Sequence, residues 1–332
     1  MYPSQQSDVS TQTSQRFEVV EADMSLEAST GLIIFLLACA LDILAGEPPS
    51  QIHPVVWIGN LISFLRRHAH PTRWSGLVLA LLVITTTVAS GQLLVWAAGL
   101  IPVWSTAAQA IVAAYLLKST FAIRCLLQTS LDIGKMIQSD LSQAKSMLPA
   151  LVGRKTEDLT EEQATSAVIE SLSENYVDSI LSPIFYFLIF EPLGFGLEAA
   201  LAFKAISTMD SMLGYKTKGL KELGFVPAKL DDLANYLPAK ISIIFMALAS
   251  PSRAGPIIKT ALQYHKATPS PNSGWPMSAI AAALDIRLEK PGYYVLLEDG
   301  KRPKTSDVQR AVRFVGLTIA LTLIASIVMM LV

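Results

Sequence analysis

One stretch of the chain, from Ser75 to Pro102, contains no charged residue. It is longer than the ~20 apolar residues that an α-helix needs to cross a bilayer. Because the hydrocarbon core offers no water to the backbone, such a segment must be helical. Only 16% of the 332 residues are charged, compared with about 25% in ordinary soluble domains. The sequence therefore predicts an all-α, polytopic integral membrane protein in the cell membrane, with helical cytoplasmic loops.

Three further segments are long and apolar enough, or nearly so, to cross a bilayer: residues 26–45, 106–127 and 314–332. Two other segments are ambiguous. Residues 177–206 hold two apolar runs separated at Glu191-Pro192, which predicts a helical hairpin. Residues 236–249 are short for a span and are predicted to be re-entrant or interfacial. Together with 75–102, these segments form the membrane domain, residues 26–332.

Basic residues orient the predicted spans, because cytoplasmic loops carry an excess of Lys and Arg. The loops at 128–176, 207–235 and 251–313 are rich in both, so all three are predicted to be cytoplasmic. The N-terminus then lies outside. Residues 1–25 are polar and rich in Ser, Thr and Gln, without the basic and apolar regions of a signal peptide. They are predicted to be a disordered extension.

Several classes of function are disfavoured by what the sequence lacks. There is no GxxxxGKS/T, HExxH or GxSxG motif and no GxGxxG motif behind a strand, so an ATP-using enzyme would need a different kind of phosphate site. The net charge of −1 and the lack of a basic patch with interleaved aromatics argue against nucleic acid as a partner. Cys39 and Cys125 match no metal or redox spacing and are predicted to be small buried hydrophobic residues.

An acidic ladder precedes the apolar run at 179–190. On a helix, Glu170, Glu174 and Asp178 lie at i, i+4 and i+8 and share one face with Asn175 nearby. Like charges at this spacing repel, and the cost rises beside a membrane-depth segment. The pattern indicates a cation-dependent site at the bilayer surface. A solvated acidic face before a buried helix is the alternative.

Two clusters combine acidic residues with partners suited to phosphate or metal. The first contains Lys204, Asp210, Ser211 and Lys216 and could hold a phosphate or a metal–phosphate pair, or be an ordinary helix end capped by glycine. The second contains Asp231, Asp232 and Asn235. Carboxylate and amide oxygens suit Mg²⁺, although acidic residues in the first turn of a helix give the same pattern.

Two turn regions complete the candidate set. Asp42 lies near the end of the first predicted span, and His53 follows in a proline-rich loop, where it is either functional or structural. The turn from Ser270 through Asn272 and Gly274 to Pro276 has free backbone N–H groups that could form a nest for an anion.

Ordered blocks of sequence resemble the CobD/CbiB family of cobalamin biosynthesis proteins. They read LDILAGEPP and HPVVWIG, then SENYVDSILSPIFY, KAISTMDSMLGYK, LDDLANYLPA and PSPNSGWP, all within residues 30–330. Ser207 stands where the family has asparagine. The resemblance implies an ATP-dependent ligase, adenosylcobinamide-phosphate synthase. This enzyme joins the corrinoid adenosylcobyric acid to aminopropanol or its phosphate, and later enzymes of the pathway are possible partners.

The implied chemistry gives each candidate a role. Forming an amide through an acyl phosphate calls for Mg²⁺ with ATP as co-substrate, positive charge on the phosphoryl group and a base for the amine. We expect the roles to divide as follows: Asp210, Asp231 and Asp232 bind the metal; Glu170, Glu174 and Asp178 form a second carboxylate group; His53 is the base; and Asn175, Lys204, Ser211, Lys216, Asn235, Ser270, Asn272 and Gly274 bind substrate or phosphate.

A membrane corrinoid-binding or transport component, or a sensor that shares the fold, is the alternative function. A transporter places its polar residues near the bilayer midplane within spanning segments. The candidate residues of this chain lie mostly in loops and at helix ends, which favours an enzyme at the cytoplasmic surface.

Overall fold

The structure, a computed structural model, describes residues 30–153, 155–214 and 219–332. The predicted extension at 1–25 and Lys216 lie outside the described residues. The α-helices are α1 (Thr30–Ala45), α2 (Pro54–His68), α3 (Arg73–Ala98), α4 (Ser105–Lys118), α5 (Ile123–Ser139), α6 (Leu141–Met147), α7 (Glu161–Tyr176), α8 (Ser182–Phe190), α9 (Gly196–Leu213), α10 (Phe225–Ala234), α11 (Tyr236–Ala249), α12 (Ala254–Tyr264), α13 (Gly274–Leu284) and α14 (Ser306–Leu331). The predicted all-α class is confirmed.

Five helical stretches are long and apolar enough to cross a bilayer: Arg73–Ala98, Ser105–Ser139, Glu161–Leu193, Phe225–Ala249 and Ser306–Leu331. Helix α3 shows why a bilayer is needed. More than half of the surface of Leu81, Leu93 and Trp96 is exposed, and an uncharged helix of this length with such an apolar surface is suited to contact with lipid. The protein is a multi-pass membrane protein.

The two ambiguous segments are both helical. Helices α8 and α9 pack against each other and are joined by a turn that ends at Gly194, whose φ of 75° is left-handed. The segment 236–249 is α11, the second half of the stretch Phe225–Ala249. The boundaries of the spans, the hairpin's path and the sidedness of the loops stay predictions.

Two packed groups of helices make the core. Helix α9 packs against α2, α3, α8 and α10, whereas α7 packs against α5, α13 and α14. Ala205, Met209 and Leu213 of α9 are buried with Ile62 of α2 and Val83 of α3. Packing against neighbouring helices therefore holds α7 and α9 in place.

Local sequence explains the limits of α7. Thr160 and Gln163 form a capping box at its start, which satisfies backbone N–H groups that would otherwise be free. After Tyr176 the chain widens into a π-helical segment, Val177–Leu181, before α8 begins at Ser182-Pro183. Such π segments are rare and are frequent at functional sites.

The only sheet in the described ranges is a hairpin of β1 (Leu288–Lys290) and β2 (Tyr294–Leu296), with Leu288 opposite Leu296. It packs against α7. One prediction about the cysteines is wrong. Cys39 is buried, but Cys125 is exposed, because α5 is amphipathic and Cys125 lies on its open face, away from the buried Ile123 and Leu126.

Candidate active site

Four segments that are distant in sequence meet at a cavity of about 120 Å³. It is polar and strongly acidic. The lining residues are Glu174, Val177, Asp178, Asp210, Asp231, Asp232, Asn235, Ser270, Asn272, Ser273 and Pro276. We call this space the acidic cavity. Five carboxylates from α7, the π segment, α9 and α10 surround it, so the predicted metal-binding residues and part of the predicted ladder are brought together.

Two residues of the acidic ladder flank the change from α-helix to π-helix. Glu174 lies in the last turn of α7, and Asp178 lies in the π segment. The wider turn changes the direction of the side chains that follow it. Both carboxylates line the cavity, beside Asp210 and Asp231, with which Asp178 interacts electrostatically.

The end of α9 contributes Asp210 and depends on a glycine. Gly214 caps α9, and its N–H bonds to the carbonyl of Asp210 at 2.7 Å. A Cβ at position 214 would overlap the Asp210 carboxylate. Burial, and secondarily the charge of Asp232, raises the pKa of Asp210. A cation that enters the cavity would relieve this cost of ionisation.

Helix α10 presents its carboxylates through a hydrogen-bonded chain. Asn235 donates from Nδ2 to Asp231 Oδ2 at 3.0 Å and accepts at Oδ1 from Ser182 Oγ at 2.6 Å. Asp232 is paired with Lys229 at 2.7 Å. Asn235 is buried and therefore holds Asp231 in place as part of a satisfied network.

The turn before α13 closes the cavity. Asn272 Nδ2 donates to the backbone carbonyl of Asp232 at 2.8 Å. Ser270 Oγ accepts from the backbone N–H groups of Asn272 and Ser273 at 3.2 and 3.4 Å. Part of the predicted anion nest is thus already bonded to Ser270.

The lining residues suit a hard divalent cation. Carboxylate and amide oxygens are the ligands that Mg²⁺ prefers, usually one or two carboxylates with waters and substrate phosphates. Among the described residues, no group of three or more His, Cys, Asp or Glu side chains lies close enough together to hold a metal ion as they stand. Asn272 Oδ1 is buried and has no hydrogen-bond partner among the described residues. Asn272 therefore offers a buried oxygen that a cation in the acidic cavity could bind.

Some predicted residues do not line the cavity. Glu170 is buried one turn before Glu174, where it accepts from Ser166 Oγ at 2.6 Å and from Tyr294 O–H of β2 at 2.7 Å. Asn175 donates to the Ser171 carbonyl at 2.9 Å. Glu170 therefore joins α7 to the β-hairpin, whereas Asn175 bonds within α7. The predicted roles of Glu170 in the carboxylate group and of Asn175 in substrate binding stay predictions.

Three further predicted residues also lie outside the lining. Ser211 Oγ donates to the Thr208 carbonyl at 2.9 Å. Gly274 lies against the His265 backbone, where a Cβ would clash. Glycine at this position therefore lets the two backbone segments pack closely. Lys204 lies on α9, six residues before Asp210.

His53 belongs to a second charged cluster, formed by Asp42, Glu47, His53, Lys118 and Arg124. His53 caps α2: its Nδ1 accepts from the Val55 N–H at 3.2 Å, and its Nε2 lies 2.9 Å from Glu47 Oε2. Lys118 Nζ lies 2.8 Å from Glu47 Oε2 and 3.3 Å from Asp42 Oδ1.

Asp42 and Lys118 are almost completely buried, at 0% and 2% exposure. Asp42 Oδ2 also accepts from the Arg124 N–H at 2.9 Å. Burial opposes the ionisation of Glu47, but His53 and Lys118 outweigh it and lower the pKa of Glu47. Ionisable residues in a span-length helix are costly and mark function, so this cluster is a candidate second half of the site.

Lys204 connects the two regions. It lies within electrostatic range of Glu47 and Lys118 in the second cluster and of Asp178 in the acidic cavity. Sequence reasoning missed Lys118 and Glu47. A lysine late in an apolar helix was the available signal, because such a residue must be paired inside the protein.

A family model, described as CobD/Cbib protein, matches residues 35–323. The chain belongs to the CobD/CbiB family. The match includes every segment that lines the acidic cavity and the whole second cluster. No solved structure is significantly similar to the chain.

Relatives from archaea and bacteria align over most of their length. The probable cobalamin biosynthesis protein CobD of Methanothrix thermoacetophila is 48% identical over 299 residues, covering 88% of this chain and 95% of the relative. The protein of the same name from Methanothermobacter thermautotrophicus is 36% identical, covering 90% and 98%. The cobalamin biosynthesis protein CobD of Pelobacter propionicus is 38% identical, covering 79% and 81%.

A substitution at Gly214 tests the geometry of the cavity. Gly214→Ala is expected to displace the Asp210 carboxylate and weaken Mg²⁺ binding roughly 10- to 100-fold, the usual effect of disturbing residues that orient metal ligands. Isothermal titration with Mg²⁺ and ATP measures the change. Gly255→Ala is the matched control, because a Cβ there meets open space. Unchanged Mg²⁺ binding in Gly214→Ala would show that Asp210 is not a ligand of the metal.

Proposed function

We propose that this protein is a cobalamin biosynthesis enzyme that forms an amide bond between adenosylcobyric acid and aminopropanol or aminopropanol phosphate, with ATP and Mg²⁺. The observation that carries the proposal is the acidic cavity. The sequence blocks that resemble the family are far apart along the chain, yet four of them supply its lining. A cluster of five carboxylates at helix ends suits metal-dependent phosphoryl transfer better than it suits a structural role.

The proposed reaction has two steps. A carboxylate oxygen of the corrinoid attacks the γ-phosphorus of ATP, which gives an acyl phosphate and releases ADP. The nitrogen of the neutral amine then attacks the acyl carbon, the amide forms, and inorganic phosphate leaves with the electron pair of the broken C–O bond. One proton must be removed from the ammonium form of the amine before attack.

The residues of the cavity support the first step. Asp210, Asp231 and Asp232 would hold Mg²⁺ together with Asp178, which lines the same cavity. Asn235 would fix Asp231, and Gly214 leaves room for Asp210. When bound, Mg²⁺ would neutralise charge on the phosphate oxygens. Without a cation, five carboxylates would repel a triphosphate, so nucleotide and metal are expected to bind together.

The second cluster supports the amine step. In its neutral form His53 accepts at Nδ1 from the Val55 N–H, so its proton lies on Nε2 and is donated to Glu47. Both ring nitrogens of His53 are then engaged, so we propose that the proton of the ammonium passes to the Glu47 carboxylate, which His53 and Lys118 hold in place. Lys204 would lie near transferred phosphate, since its charge is close to Asp178 and to Glu47.

A turnover experiment tests the proposal. Protein purified in nanodiscs is incubated with adenosylcobyric acid, ATP, Mg²⁺ and either amine, and the corrinoid mass is followed. We expect the corrinoid to gain the mass of the amine minus one water, as amide formation requires. This gain should be lost when ATP or Mg²⁺ is omitted. Tight corrinoid binding without a mass change in any combination would contradict the ligase assignment.

One observation favours the alternative, a membrane corrinoid-binding or transport component or a sensor. Asp42 and Lys118 form a buried ion pair between two apolar helices, and transporters place charged residues within their spans. Corrinoid uptake into sealed vesicles without chemical change would support this function.

A further inference from the structure

Two aromatic residues, the exposed Tyr236 and the half-buried Trp275, are adjacent in sequence to residues of the acidic cavity. Tyr236 directly follows Asn235, and Trp275 directly precedes Pro276. Asn235 and Pro276 both line the cavity. Because adjacent Cα atoms are only ~3.8 Å apart, the backbones of Tyr236 and Trp275 lie beside the lining of the cavity, although neither ring lines it. About half of the Tyr236 surface (52%) is exposed.

The aromatic residues form an ordered group with a lysine. The Trp275 ring stacks on His265, with centroids 4.0 Å apart and an angle of 12° between the planes. Lys240 Nζ lies 3.5 Å from the centre of the Tyr236 ring and 6.0 Å from the centre of the Trp275 ring. Both rings therefore approach the same ammonium group. We call Tyr236, Lys240, His265 and Trp275 the aromatic rim.

The charges of the aromatic rim complement those of the cavity. Partial burial, followed by the charges of Lys266 and Lys240, lowers the pKa of His265, which favours the neutral form of its ring. Lys240 is then the one cation of the group. An ammonium and flat aromatic surface thus lie next to a pocket suited to a metal ion and phosphate.

We propose that the aromatic rim binds the base of the nucleoside triphosphate whose metal-bound phosphates occupy the acidic cavity. This inference rests on the proposed function, because it assigns a subsite to the ATP used there. Bases stack on aromatic side chains at about 1–3 kcal/mol each, as measured by alanine substitution. The ammonium of Lys240 would then lie beside the phosphates.

The aromatic rim fits a base better than it fits the corrinoid. A base is flat and exposes both faces, so one or two rings suffice to hold it. A corrin macrocycle carries amide side chains around its edge and needs a broader surface. A triphosphate also links a base to phosphates that lie in a neighbouring pocket, which is the arrangement of the rim and the cavity.

Binding of two probes isolates the contribution of the base. ATP and inorganic tripolyphosphate, each with Mg²⁺, are titrated into the full-length protein in detergent without corrinoid. Wild type is expected to bind ATP more tightly than tripolyphosphate. Trp275→Ala and Tyr236→Ala should weaken ATP binding roughly 10- to 100-fold and leave tripolyphosphate binding unchanged. Trp275→Phe, which keeps a ring and the packing, should retain most of the ATP affinity.

Matched controls lie elsewhere on the surface. Tyr293 is 70% exposed and has Lys290 over its ring at 4.9 Å, so Tyr293→Ala removes a similar pair outside the aromatic rim. Trp74 is 72% exposed at the start of α3. Both alanine variants should bind ATP as wild type does.

Two results would overturn the inference. One is unchanged ATP binding in Trp275→Ala and Tyr236→Ala, and the other is an equal weakening of ATP and tripolyphosphate binding. If wild type binds neither ATP nor tripolyphosphate with Mg²⁺, the proposed function fails as well. If wild type prefers ATP and the variants keep that preference, only the assignment of the aromatic rim fails.

Discussion

Replacing Asp231 and Asp232 together by asparagine is expected to abolish turnover while the protein still inserts and folds. Asparagine keeps the size of each side chain and removes two negative charges from the acidic cavity. Without them, Mg²⁺ and the nucleotide phosphates lose their anchor on α10. Removing one group that stabilises developing charge costs about 10²–10³ in rate, so two should reduce kcat roughly 10³-fold or more.

The turnover assay with adenosylcobyric acid measures this effect, and thermal unfolding in detergent shows whether the fold persists. Asp132→Asn is the matched control. Asp132 is paired with Lys135 at i, i+3, as Asp232 is with Lys229, but on an exposed face of α5. It should retain normal activity. Normal activity in the double variant would show that Asp231 and Asp232 are not needed to bind the metal.

Replacing Lys118 by methionine is expected to give the largest loss of stability. Methionine fills similar space but leaves Asp42 buried without its cation and Glu47 with His53 alone. Breaking a buried pair by removing one partner costs about 3–5 kcal/mol, a large share of the 5–15 kcal/mol that stabilises a typical domain. We expect a sharply lower unfolding temperature and a low yield of folded protein.

A second substitution checks the cause. Asp42→Asn added to Lys118→Met removes the unpaired charge, and its amide oxygen can still accept from the Arg124 N–H. The double variant should regain part of the lost unfolding temperature. Lys135→Met, at an exposed lysine, is the control and should unfold like wild type. If Lys118→Met unfolds at the wild-type temperature, the buried pair contributes nothing to stability.

The sequence was sufficient to predict the helical membrane fold and most of the cavity. Long uncharged runs have one solution in a bilayer, and α3 and α14 follow directly from them. Asp178, Asp210, Asp231 and Asn272 were singled out because carboxylates and amides near helix ends suggest cation binding. Their convergence is a finding of the structure, because nothing in their spacing shows that α9 and α10 meet the end of α7.

Other features depend on geometry that the sequence does not carry. Glu170, Glu174 and Asp178 fall on one face of a regular helix, but only Glu174 and Asp178 line the cavity, and Tyr294 binds Glu170 outside it. Lys118 was missed because its partners, Asp42 and Glu47, come from a loop and helix far away in sequence.

Tyr176 adjoins the acidic ladder in sequence but is completely buried and hydrogen-bonded to Thr322 at 2.8 Å. A tyrosine beside an acidic ladder looks like a surface residue in sequence. Only the packing of α14 against α7 shows that it belongs to the core.

The central claim is that the acidic cavity holds the metal ion together with nucleotide. Electron paramagnetic resonance of Mn²⁺, used in place of Mg²⁺ with a non-hydrolysable ATP analogue, tests it directly. We predict one bound Mn²⁺ per chain in wild type and in Asp132→Asn, and loss of that signal in Asp231→Asn and in Asp178→Asn. Undiminished Mn²⁺ binding in both cavity variants, with the protein folded, would contradict the account.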